Sequence, residues 1–160
     1  PDRGKADRIL VNCGPGSFTG VRIGISAAKA LALAWDADIH GYSCLSLVAA
    51  QALQQMESPR PVCVAMLAGH GEYFLQNFAA TGEPIAPFVT LTPEEAASQV
   101  AGDVIAGSAA SELAAATSVD TYFSILPNAA HISLVTSNMK NRAARPNYGR
   151  KPDAQPAKIV

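Results

Sequence analysis

The residues best placed to do chemistry lie in NCGPGSFTGVRIGISAAKALALAW, residues 12 to 35. Gly14, Pro15, Gly16 and Gly20 stand at the mouth of a helical pattern. Backbone N–H groups freed by glycine and aimed by a helix N-terminus favour an anion, which makes Gly14, Gly16 and Ser17 the candidate phosphate loop. The spacing fits neither standard phosphate motif. A Walker A loop needs G-x-x-x-x-G-K-[ST], whereas Gly14 and Gly20 are one residue too far apart and Val21 follows in place of lysine. The dinucleotide fingerprint G-x-G-x-x-G fails at Thr19. A tight strand-to-helix turn accounts for the same glycines. Ser17 has Pro15 and Thr19 where a nucleophile elbow, G-x-S-x-G, has glycines, so it reads as a helix-opening hydrogen bonder. Arg22, one turn in, reads as a solvated or ion-paired residue.

Other reactive side chains do not group. His40, His70 and His131 form no i, i+4 pair and no H-E-x-x-H motif, which argues against a zinc hydrolase. Cys13, Cys44 and Cys63 show no C-x-x-C pairing and suit a reducing cytosol. Glu94, Glu95, Asp103 and Glu112 are scattered, and the first two belong with a helix N-terminus. A net charge of −1 over 160 residues supplies no field to hold a polyanion, so contact with RNA is expected only through a partner. The stretch Ile23 to Trp35 carries Lys29 and meets Asp36 and Asp38, short of the roughly 20 apolar residues of a membrane span. The opening PDRGKADR leads into no apolar export region.

The elements that must position these residues follow from periodicity. Arg8 to Cys13 reads as a buried strand stopped by Gly14 and Pro15. Val21, Ile25, Ala28, Ala32 and Trp35 mark one face of a helix from about Thr19. A second face, Ile23, Ala27, Ala30 and Ala34, carries small side chains that let another helix approach toward the short end of the usual 8 to 10 Å, roughly, and it is the candidate partner interface. ADIHGY reads as a strand, and Ser43 as the cap of a helix with Leu45, Val48, Ala49, Ala52, Leu53 and Met56 at helical spacing. ESPRP then breaks the chain. VCVAML and YFLQNF read as a hairpin around AGHGE. Thr92, Pro93 and Glu95 announce a capped helix. A strand DVIAG, a helix over 109–116, a strand near 122–126 and a helix over about 129–139 follow. Three regions result: residues 1–58 as part of a first lobe, 59–144 as a second α/β lobe, and 145–160 as an extended tail.

GPGSFTGVRIGISAAKALA, Gly14 to Ala32, resembles the signature of the TsaB (YeaZ) family, whose members take part in making threonylcarbamoyladenosine in tRNA. GYSCLSLVAAQA and the tail RPNYGRKPDA, with Pro146, Tyr148, Arg150, Asp153 and Ala154, are similar to family segments as well. The resemblance implies a two-lobed α/β protein of the actin-like ATPase (ribonuclease H-like) fold. It implies a cytoplasmic, non-catalytic subunit that supports a TsaD-like paralogue together with a TsaE-like ATPase, touching tRNA only indirectly and no membrane. It implies no cofactor of its own, with ATP or ADP only at the partner interface, and a helical bundle made with the paralogue or with a second copy. Compared with the family pattern, the first lobe is expected to be truncated, beginning near the family's fourth strand. The hairpin LAGHGEYF keeps Ala68, Gly71 and Glu72 but has Leu67 and Gly69 where relatives commonly have Asp and Arg. An actin-like ATPase or kinase and a glycoprotease-like metallopeptidase are the rival readings.

Overall fold

The computed structural model describes residues 4–149. Strand β1 (Arg8–Asn12) and strand β2 (Asp38–Tyr42) pair in parallel, from Arg8 opposite Asp38 to Asn12 opposite Tyr42. A parallel pair needs a crossover, which helix α1 (Phe18–Trp35) supplies. Successive strand side chains point to opposite faces. Ile9, Val11 and Ile39 accordingly meet Val21, Ile25 and Ala28 of α1, while Leu10 and Tyr42 pack with Leu47, Val135 and Met139. Asp36 ends α1 in the left-handed conformation, φ 54°, its N–H bonded to the Ala32 carbonyl.

Helix α2 (Cys44–Gln54) starts two residues after β2 and is buried on almost every side. Leu45, Val48, Ala49 and Ala52 enter the core of a second, five-stranded sheet, and Leu47 packs back on Tyr42. The second sheet has the order β5-β4-β3-β6-β7. Strand β3 (Val62–Leu67) is antiparallel to β4 (Tyr73–Phe78) and parallel to β6 (Val104–Ala106). Strand β5 (Val89–Leu91) flanks β4, and β7 (Thr121–Phe123) flanks β6. Alternation divides the side chains cleanly. Val62, Val64, Val104 and Ala106 face α2, while Cys63, Ala65 and Ile105 face α3 (Pro93–Gln99) and α4 (Ala110–Ala115). With both faces covered, the central strands β3 and β6 are apolar without interruption. At the end of β6, Gly107 has φ 122°, and a Cβ there would lie 2.1 Å from the Ala65 carbonyl oxygen, so only glycine fits.

The capping box of α3 forms as read: Thr92 Oγ1 accepts from Glu95 N–H and Glu95 Oε2 accepts from Thr92 N–H. Three expectations change. Ser43 holds the N-cap position of α2 but makes no capping hydrogen bond, and the adjacent Cys44 amide donates to the Gly14 carbonyl at 3.1 Å. The helix expected over 129–139 is a 3-10 helix, Ala129–Leu134, that ends when Val135 turns extended and inward. Asn128 competes for its first turn by accepting from Ala130 N–H. The strand expected near 122–126 ends at Phe123, since buried Gln51 draws the next segment away, donating to the Leu126 carbonyl and accepting from Asn128 N–H. Strand β5 has no counterpart in the sequence reading.

Candidate functional site

The glycine loop is a junction more than an open cradle. Gly14, φ 96°, has its N–H bonded to Asn12 Oδ1 and its carbonyl bonded to Cys44 N–H, and Pro15 lies buried beside it. The Pro15 carbonyl accepts from the Cys44 thiol. Gly16 and Ser17 are exposed at the start of α1. Ser17 is the N-cap, its Oγ accepting from Gly20 N–H at 3.3 Å, which fits the helix-opening role read from sequence.

Arg22 is exposed, as a solvated residue would be, but it also has aromatic partners that the sequence reading did not foresee. Its guanidinium carbon sits 3.6 Å from the Phe18 ring centre and 5.3 Å from that of Tyr148, and its Nε donates to the Tyr148 hydroxyl. The two rings lie 5.1 Å apart. A guanidinium over an aromatic face is attracted by the ring quadrupole, so the three side chains form one cluster at the root of α1. Its third member comes from far along the chain, and Tyr148 had been noted only as part of a tail motif. The sequence signal was the i, i+4 spacing of Phe18 and Arg22, which sets both on one helix face.

That cluster pins a closing segment which spans both sheets. Arg142 forms a bridge with Gly41 of β2, Asn147 N–H donates to the Cys13 carbonyl at 2.8 Å, and Thr90 Oγ1 donates to the Gly149 carbonyl at 2.9 Å. Residues 150–160, with Arg150, Asp153 and Ala154 of the tail motif, lie outside the described residues.

Helix α1 buries only Ile25, Ala28 and Ala32. The four residues of the candidate interface, Ile23, Ala27, Ala30 and Ala34, are all exposed, and Leu33 is 87% exposed. Ile23, Ala27, Ala30 and Ala34 recur at helical spacing, so they form one continuous stripe.

The remaining reactive groups stay apart. All three cysteines are buried free thiols. Burial pushes the Cys44 and Cys63 thiols up to about 12 and raises that of Cys13, so none is a ready thiolate. Among the described residues no three His, Cys, Asp or Glu side chains are grouped to hold a metal ion. Glu112 accepts from the Tyr73 hydroxyl, Glu95 closes the α3 cap, and Asp103 faces Arg60 at 3.9 Å across solvent. In the altered hairpin Leu67 is exposed and its N–H donates to Ser108 Oγ, and the turn passes through His70 and Gly71 in left-handed conformation. No helix is long and apolar enough to cross a membrane among the described residues.

Two solved structures share this fold. One is described as an uncharacterized protein with similarity to peptidase YeaZ from Pseudomonas aeruginosa, at TM-score 0.71 and 25% identity over 90% of this chain and 74% of that one. The other, YeaZ from Pseudomonas aeruginosa, gives TM-score 0.71 and 25% identity over 89% of this chain and 74% of that one. The α/β architecture is therefore that of the YeaZ proteins, consistent with an actin-like, ribonuclease H-like fold. The family model described as TsaD, tRNA N6-adenosine threonylcarbamoyltransferase, matches residues 2–147. The chain belongs to that family, as a YeaZ-like (TsaB-like) member.

Proposed function

We propose that this chain is a non-catalytic subunit of the machinery that forms threonylcarbamoyladenosine in tRNA. It docks through α1 onto a TsaD-type transferase, with a TsaE-type ATPase joining the assembly in the cytoplasm. The observation that carries the reading is the exposed stripe Ile23, Ala27, Ala30 and Ala34 on a helix that buries only three of its 18 residues. Side chains of alanine size let a partner helix come close, so dispersion contacts accumulate along the whole stripe. Ser17 supports the reading, since its hydroxyl is engaged as a helix cap, and so do the three thiols, which burial keeps protonated. On this reading nucleotide belongs to the partner interface and RNA to the partner.

The test is capture of the TsaD-type paralogue by the tagged chain and by Ala30→Glu. The wild type retains the paralogue and the variant loses it while keeping the same melting temperature. Undiminished capture by Ala30→Glu overturns the interface. A second copy seated on the stripe would appear as a dimer that the same variant dissociates. Turnover of ATP by the isolated chain would favour the actin-like ATPase in place of the subunit role.

A further inference from the structure

We infer that the N-terminus of α2 binds a small oxyanion of the phosphate class, in a cleft lined by Ser43, Arg142, Arg145 and Asn147. The inference concerns a different face from the α1 stripe and does not rest on partner docking.

The cleft measures about 260 Å³ and opens where β1 and β2 both end, at Cys13 and Tyr42. Ligands of parallel α/β sheets settle outside the carboxyl ends of the strands, where helix N-termini converge. Here the helix is α2, 11 residues long, and its dipole presents partial positive charge to the cleft. Ser43 supplies the independent sign of a ligand. It is 4% exposed, it stands at the N-cap, and its Oγ has no hydrogen-bond partner. Buried hydroxyls in folded proteins are nearly always bonded, and the usual N-cap acceptor role is not filled here. An oxyanion accepting from Ser43 Oγ–H would complete it.

The charge in the walls agrees. The lining holds two arginines and no carboxylate; Arg142 Nη2 donates to Met139 Sδ at 3.7 Å, and neither arginine faces a carboxylate of the lining. Guanidinium groups match the geometry of phosphate oxygens. The segment that carries them is already fixed, because Arg142 is bridged to Gly41 and Asn147 N–H is bonded to the Cys13 carbonyl. The backbone that carries the two arginines is thus in place without a ligand, which lowers the ordering cost of binding. Arg142 and Asn147 also line an adjoining groove of about 590 Å³ beside Phe88 and Tyr148, so the organic part of a phosphate monoester has room.

The experiment is calorimetric titration of the full chain in chloride buffer with inorganic phosphate and, separately, glycerol 3-phosphate. Wild type gives saturable binding of one equivalent, and Arg145→Gln weakens it about tenfold, as loss of one charge-assisted hydrogen bond does. Ser43→Ala abolishes the phosphate-induced rise in melting temperature, yet without phosphate it melts no lower than wild type, since an unpaired buried hydroxyl has been removed. Tighter binding of the ester identifies an organic phosphate as the natural occupant, and equal binding identifies free phosphate. No saturable binding of either probe, or binding unchanged in both variants, overturns the inference and leaves the α1 docking reading untouched.

Discussion

Helices α1 and α2 are neighbours in the chain, both rich in alanine and leucine, and they meet opposite fates. α2 buries eight of its 11 residues between two sheets, whereas α1 buries three of 18 against a two-stranded sheet. Apolar periodicity selects the helical state in both cases, but burial depends on how many layers surround the helix. α2 is held from both sides and carries stability. α1 is held from one side and leaves an apolar face exposed.

Breaking the covered region should cost most. Phe78, fully buried opposite α2, when changed to alanine should lower unfolding free energy by about 3–5 kcal/mol in urea titration, the range for large aromatic deletions. Alkali should act on the same region. Cys44 and Cys63 have folded values near 12 against an ordinary 9.0, so the unfolded chain ionises first. Their contribution is complete below about pH 9 and is lost as pH rises toward 12, and the melting temperature should fall across that window, less steeply in Cys63→Ala. At the junction with the closing segment, Gly41→Ala places a Cβ 2.4 Å from Cys13 Sγ and 2.9 Å from the Ala143 carbonyl oxygen. Overpacking of that kind costs about 1–3 kcal/mol, and limited proteolysis should then cut within 142–149. Arg22→Ala removes the stacking on Phe18 and the hydrogen bond to Tyr148, with an expected cost of about 1–2 kcal/mol and faster amide exchange at Asn147. Leu33→Ala, on the exposed side of α1, should change stability by less than about 0.5 kcal/mol, and a larger loss would mean that this face is covered within the chain itself.

The legible parts of this molecule were those decided locally. The strand of Arg8–Asn12, the long helix after Ser17, the hairpin through His70 and the capping box at Thr92 each depend on residues within a few positions of one another. What escaped depends on distant partners. β5 is three residues long and exists because β4 offers it an edge. The segment after Phe123 bends away because Gln51, more than 70 residues earlier, holds it. The site divides in the same way. The glycine loop and the alanine stripe are written in a single stretch of sequence, whereas Arg22 with Tyr148, and Ser43 with Arg142 and Arg145, are joined only by the return of the closing segment. Ser43 was read as a cap from its position alone, whereas its hydroxyl makes no capping hydrogen bond and has no hydrogen-bond partner among the described residues.

Amide hydrogen exchange of the full chain, alone and with the purified TsaD-type paralogue, tests the central claim most directly. Protection confined to α1, centred on residues 23–34, is the result predicted. Binding that leaves those amides unchanged and protects the second sheet instead would contradict it.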